Sequence, residues 1–272
     1  MQTCVKKVLR ISLLIFFMCI LIFAVWQLWM LLCEYRAGQD SYSALDPYVF
    51  VTETDTISAE DTVPASDNTV AAQMPDISAW PQVDFVRLSE INPDIVGWIY
   101  IEGTNIHYPV VQGADNSYYL KRLFDGSYNS SGCIFLDYRC AFDFSDRHSV
   151  IYGHHMNDGS MFAALMNYKN QGFYDEHSVA LLVTPTAYYK IQLFSGYVSD
   201  TRSDAWDLSF GEQEYMDWLT GIRQRSCFET DYAPAHTDKI ITLSTCTYEF
   251  DTAKFVLHGY ISESIENIPP DI

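Results

Sequence analysis

The residues of this chain best suited to chemistry are a cysteine, a lysine and a histidine. Cys246 ends the run 239–246, Lys-Ile-Ile-Thr-Leu-Ser-Thr-Cys. Strand alternation puts Ile241, Leu243 and Thr245 on one face and Thr242, Ser244 and Cys246 on the other, so a thiol stands at the polar end of a segment built to be buried. A second strand, Lys254 to Ile261, follows the seven-residue connection Thr247 to Ala253. Two strands joined this closely predict a hairpin, which returns Lys254 to the side of Cys246. A cation there favours an anionic, nucleophilic sulfur and can also hold an oxyanion that develops on a substrate. The base comes from Ser149 to His155, an apolar run that ends at Gly153 and then exposes two adjacent histidines. His154 is the candidate. His258 is its rival, since it shares a strand face with Lys254, but four residues further on it faces Thr242 instead of Cys246.

The elements that must position these groups are mainly strands. Aromatic residues make up 15% of the chain, with 19 tyrosines, which favours β structure. Strand patterns run over 98–101, 106–111, 134–137, 150–152, 179–183, 188–197, 240–245 and 255–261, and helical patterns over 83–91, 116–124, 161–168 and 212–225. A mixed β-barrel of about eight strands with helices around it is the natural arrangement, and the region is long enough for a substantial core.

These segments together resemble class B sortases. The resemblance rests on Tyr-Gly-His at 152–154 and Thr-Leu-Ser-Thr-Cys at 242–246, with a basic residue eight positions later. Further matching segments, in the same order, are 91–101, 108–111, 115–120, 134–139 and 159–162, so it runs from about Asp84 to Ile261. It implies the sortase fold, a closed mixed β-barrel, and a cysteine transpeptidase. In that mechanism the Cys246 thiolate attacks a peptide carbonyl in the C-terminal sorting signal of a surface protein and forms a thioacyl enzyme. His154 protonates the leaving amine and deprotonates the incoming one. Lys254, with backbone N–H groups near Cys246, holds the oxyanion, while Ser244 and Thr245, with Asn116 and Leu120 by family position, line the peptide groove. Trp206 is a further candidate for substrate contact. The acceptor is an amino group of cell-wall peptidoglycan, as in Gram-positive cells, or of a pilin, and the implied signal is of the Asn-Pro-x-Thr type.

One position departs from the family pattern: the catalytic basic residue is arginine there and Lys254 here. Arginine offers a planar fork of donors, lysine a compact hydrated charge, so the two are not interchangeable. Arg139 is the other arginine considered as a substitute. Two alternatives stay open: a sortase-fold binding or scaffold protein with weakened catalysis, and a thiol hydrolase that uses water as acceptor.

The N-terminus adds a membrane element. Residues 11–33 form an apolar run with Ser12 and Gln27 as its clearly polar members, long enough at about 1.5 Å per residue to cross a hydrocarbon core of roughly 30 Å. Lys6, Lys7 and Arg10 precede it and a mixed flank with Glu34, Arg36 and Asp40 follows, which places the N-terminus in the cytoplasm and the remainder outside the cell membrane. The run is too long for the core of a cleaved signal peptide, so an uncleaved single-pass anchor in the lipid bilayer is favoured. The organisation expected is a cytoplasmic N-terminus (1–10), an anchor (11–33), an acidic flexible stalk (34–76), a catalytic domain (77–265) and a C-terminal tail (266–272).

Composition excludes other classes. A net charge of −19 argues against nucleic acid. Of seven cysteines, Cys133, Cys140, Cys227 and Cys246 follow the anchor, without the spacing of a disulfide scaffold. Cys133 and Cys227 read as core residues, and Cys140 is undecided. No Cys-x-x-Cys occurs, so neither a metal nor another cofactor is expected. His107, His148, His177 and His236 read as surface or loop residues.

Overall fold

In the computed structural model of the chain, residues 2–50 and 80–266 are described. Helix α1 (Gln2–Ser43) carries the apolar run and continues ten residues beyond it. A 3₁₀ turn leads to β1 (Val49–Phe50), which pairs antiparallel with β2 (Gln82–Val83), and α2 (Phe85–Ile91) follows. The barrel strands are β3 (Ile95–Tyr100), β4 (His107–Val111), β5 (Ile134–Leu136) and β6 (His148–Tyr152), then, after α3 (Gln171–Glu176), β7 (Val179–Val183) and β8 (Ala187–Asp200). Helix α4 (Glu212–Gln224) precedes β9 (Ile240–Cys246) and β10 (Ala253–Glu266). These eight strands close in the order β10-β8-β7-β3-β4-β5-β6-β9. Pairs β4–β5 and β6–β9 are parallel, and the other six are antiparallel.

Alternation along each strand fills the barrel from one face. Ile99, Val110, Ile151, Leu193, Ile241, Leu243, Phe255 and Leu257 meet inside it. Removing most of one such side chain, as in Leu243→Ala, costs about 2–5 kcal/mol. The opposite face of β8, β9 and β10 is covered by α4, whose Tyr215, Trp218, Leu219 and Ile222 recur at helical spacing and pack on Phe194, Ile240 and Val256. Both faces of β9 are therefore buried up to its last residue.

Three expectations about these elements change. The helix expected over 161–168 is a 3₁₀ helix, Ala163–Lys169. The segment 34–50, expected as the start of a flexible stalk, is ordered and docked on the barrel. Asn129 Nδ2 donates to the Glu34 carbonyl (2.9 Å), the Ser130 N–H to Glu34 Oε1 (2.9 Å) and the Tyr42 hydroxyl to the Gly132 carbonyl (2.5 Å). Residues 51–79, the rest of the expected stalk, lie outside the described residues. The helix expected over 116–124 is a single 3₁₀ turn, Tyr118–Lys121. Its carbonyls have been taken by other partners: Tyr119 O accepts from Cys133 N (2.9 Å), Leu120 O from His154 Nε2 (2.7 Å) and Lys121 O from Asn129 N (3.1 Å). Three successive acceptors are thereby lost to any α-helical ladder.

Candidate active site

The hairpin register sets the centre of the site. Lys254 lies directly opposite Cys246, and its Nζ donates to Cys246 Sγ at 2.8 Å. Both side chains are half-buried, where a charge-assisted hydrogen bond is screened less than on an open surface. The parallel pairing of β6 with β9 aligns Tyr152 with Ser244, so the chain leaves β6 level with the end of β9. There the Gly153 N–H donates to Ser244 O (3.0 Å) and Thr245 Oγ1 donates to Gly153 O (2.8 Å). A Cβ on Gly153 would come within 2.4 Å of Ile134 Cδ1 and 2.6 Å of the Phe162 ring. Only glycine lets the backbone pass this close to the barrel rim and present His154.

His154 donates through Nε2 to the Leu120 carbonyl at 2.7 Å. A carbonyl only accepts, so Nε2 carries the proton and Nδ1 of the neutral ring keeps the lone pair a base requires. His155, which sequence reasoning left without a role, turns the other way. Its Nδ1 donates to the Cys246 carbonyl at 3.1 Å, and its ring packs against Tyr248. It fixes the backbone that carries the thiol, and its only sequence signal was its position beside His154.

All seven candidate residues, Cys246, His154, Lys254, Asn116, Leu120, Ser244 and Thr245, line one cleft of about 270 Å³, with Phe135, Tyr152 and Gly153 completing the wall. Asn116 Oδ1 accepts from the Tyr138 N–H (3.0 Å), whereas capping of the adjacent 3₁₀ turn falls to Asp115. Asp137 is buried next to it. Burial alone would raise its pKa, but the Arg139 fork, the Arg139 N–H, Asn116 and the Tyr152 hydroxyl together hold it below the ordinary carboxylate value. Arg139 is thus committed to Asp137, and Lys254 is the cation at the sulfur. Trp206 reaches the site from outside the barrel, its Nε1 donating to Ser244 Oγ at 3.3 Å.

A family model described as Sortase domain matches residues 99–262, more than half of the chain. Sortase B of Staphylococcus aureus (strain NCTC 8325 / PS 47) is 35% identical over 176 residues, covering 64% of this chain and 72% of that protein. The chain belongs to the class B sortases. Among solved structures, the Staphylococcus aureus sortase B-substrate complex aligns with a TM-score of 0.62 at 33% identity, over 67% of this chain and 84% of that one. Sortase B complexed with triglycine aligns with a TM-score of 0.62 at 34% identity, over 67% and 85%. The sortase family consists of cysteine transpeptidases, so this class B sortase is an enzyme of that kind.

The remaining cysteines of the sortase domain are free thiols. Cys133 and Cys140 are buried, and burial pushes their pKa values up to about 12 and about 11. Cys227, expected in the core, is exposed: its N–H bonds Gly196 O and its Sγ reaches only the Tyr168 carbonyl at 3.6 Å. His148, expected at the surface, is fully buried between β9 and α4. His258 faces Thr242, as the strand spacing predicted, with 2.7 Å between Nδ1 and Oγ1. Among the described residues no cluster of His, Cys, Asp and Glu has the composition of a metal site.

Proposed function

We propose that this sortase cleaves the C-terminal sorting signal of surface proteins through a thioacyl intermediate on Cys246 and passes the acyl group to an amine of the cell wall or of a pilin. The observation that carries this reading is the 2.8 Å contact from Lys254 Nζ to Cys246 Sγ, on the same cleft as His154. The ammonium stabilises negative charge first on sulfur and then, as the tetrahedral intermediate forms, on the former carbonyl oxygen. The Thr247 N–H already bonds Ala253 O (3.1 Å), so that backbone donor is engaged and the demand on Lys254 is greater. His154 Nδ1 takes the proton that the Cys246 thiol gives up, passes it to the departing amine and then takes one from the incoming amine. Asn116, Leu120, Ser244 and Thr245 hold the peptide. Thr245 does so indirectly, because its hydroxyl is used to fix Gly153.

The apolar part of α1 serves as the membrane anchor with the domain outside. Its residues are strongly apolar and unburied by protein, which suits a lipid-facing helix. Because the barrel grips α1 from Glu34 onward, the site would stand close to the bilayer surface, where both membrane-bound precursors and nascent wall are within reach. Incubating the full chain in detergent with an Asn-Pro-x-Thr peptide and triglycine tests the reading. Cys246-dependent formation of the peptide–triglycine product supports it, and cleavage that persists in Cys246→Ala contradicts it.

A further inference from the structure

Behind the wall of the cleft lies a buried polar chain that the transfer chemistry does not use. Thr242 is on the same face of β9 as Ser244, two residues before it, and is fully buried, as are His148 at the start of β6 and His258 in β10. Thr242 Oγ1 is 2.7 Å from His148 Nε2 and 2.7 Å from His258 Nδ1, and His148 Nδ1 is 2.7 Å from the Asp207 carbonyl.

The protons along this chain can be assigned. Asp207 O only accepts, so His148 Nδ1 carries a hydrogen. Burial lowers the pKa of both histidines, that of His148 to about 4, so both rings are neutral near pH 7. His148 Nε2 is therefore an acceptor and the Thr242 hydroxyl donates to it. The same hydroxyl must then accept from His258 Nδ1–H. The direction is fixed: His258 to Thr242 to His148 to the Asp207 carbonyl. The other nitrogen, His258 Nε2, has no protein hydrogen-bond partner among the described residues and sits among Trp218, Tyr197 and Phe194.

The far end of the chain holds part of the cleft. Asp207 follows Trp206, whose indole N–H bonds Ser244 Oγ in the groove wall. At the other end of this short segment Asp204 is gripped by Arg225 (2.6 and 2.8 Å) and by Trp218 Nε1 on its carbonyl (3.0 Å). Trp206 is thus carried on a strap fastened at both ends, and His148 is the fastening behind Ser244. A surface segment needs no buried, proton-ordered chain to stay folded, since Arg225 and Trp218 already anchor it. A chain that spans β10, β9 and β6 before reaching it instead fixes the strap in register with the strands that carry Cys246 and Lys254.

We propose that His258, Thr242 and His148 act as positioning residues, holding the Trp206 strap against Ser244 and so setting the width of the sorting-signal groove. This rests on the reading of that cleft as the peptide site. In the full-length chain, binding of a labelled Asn-Pro-x-Thr peptide is measured in a Cys246→Ala background, and alkylation of Cys246 by iodoacetamide in the intact one. Thr242→Val is expected to weaken peptide binding roughly tenfold, as loss of one or two buried hydrogen bonds would, with alkylation within about twofold of wild type. Thr242→Ser, which keeps the hydroxyl, restores binding. Trp206→Phe weakens it to a similar degree, and the Thr242→Val/Trp206→Phe pair is no worse than either alone. Should Thr242→Val fail to fold, His258→Asn and His258→Leu make the same comparison, since the Asn amide keeps a donor to Thr242 and Leu does not. Unchanged binding in these variants, or additive losses in the pair, overturns the proposal while leaving the transpeptidase reading intact. Failure of the Cys246→Ala protein with the native chain of histidines to bind the peptide refutes the groove assignment itself, and the positioning role with it.

Discussion

Replacing Lys254 by methionine keeps the unbranched stem and removes the charge, so it isolates what the ammonium does for Cys246. At the observed 2.8 Å, two unit charges attract by about 1.5 kcal/mol in bulk water and about 6 kcal/mol at an effective dielectric of 20. The half-buried setting lies between these limits, and a hydrogen bond to a charged group contributes about 1.5–3 kcal/mol net. A loss of that size corresponds to a fall of roughly 10- to 150-fold in rate. Iodoacetamide alkylation at fixed pH reads the sulfur alone, and single-turnover acyl-enzyme formation with a sorting peptide reads sulfur and oxyanion together. Lys254→Met is expected to slow alkylation by at least tenfold and acylation by more, because the oxyanion loses its donor as well. Lys254→Arg is expected to keep alkylation within about threefold and to speed acylation about tenfold, since the guanidinium fork holds sulfur and carbonyl at once. Alkylation of Lys254→Met within twofold of wild type would refute the argument, as the contact would then stabilise no charge on sulfur.

Three further outcomes follow from the structure. His148 titrates near 6.5 when unfolded but only near 4 when folded, so the unfolded chain takes up the proton first and stability is lost as pH falls through this window. Between pH 6.5 and 5, before most carboxylates titrate, this costs about 2 kcal/mol. His258 adds in the same direction, with Asp137 and the Asp207 carbonyl opposing the shift at His148 and Arg225 reinforcing it at His258; urea midpoints that stay flat over this range would contradict it. Gly153→Ala forces Ile134 or Phe162 aside and is expected to lower turnover at least tenfold while far-ultraviolet circular dichroism keeps the barrel spectrum; wild-type turnover would show that the rim is not tight. Thiol labelling of the native domain is expected to modify Cys246 and Cys227 while Cys133 and Cys140 react only after unfolding, checked by peptide mapping.

Local pattern carried much of this architecture. All eight barrel strands coincide with runs of alternating or continuous apolar residues, and the short link after Cys246 sufficed to place Lys254 opposite it. What stayed hidden depended on partners distant in sequence. His148 lies between Arg147 and Ser149, a polar setting that reads as loop, and its burial comes from α4 closing over β9. The segment after the apolar run is rich in Ser, Asp and Tyr, and its docking joins polar contacts with the turn at 129–132 to scattered apolar anchors, Tyr42, Leu45 and Val49, which a stalk-like composition did not reveal. The pattern over 116–124 is helical, but helix requires free carbonyls, and those of Tyr119, Leu120 and Lys121 are claimed by the barrel and by His154 itself. His154 was singled out from the sequence, but the part of His155 was not, because its ring meets the Cys246 carbonyl only once β6 and β9 lie side by side.

The proposed transfer requires that Cys246 carry the acyl group. Intact-mass spectrometry of the full chain, quenched in acid within seconds of mixing with a sorting-signal peptide and no acceptor, tests it most directly. The expected result is an adduct equal to the N-terminal cleavage fragment less water relative to its free acid. That adduct should map to the peptide bearing Cys246, disappear on adding triglycine, and be absent from Cys246→Ala. Peptide cleavage without any adduct on Cys246, or with an adduct on another residue, would contradict it.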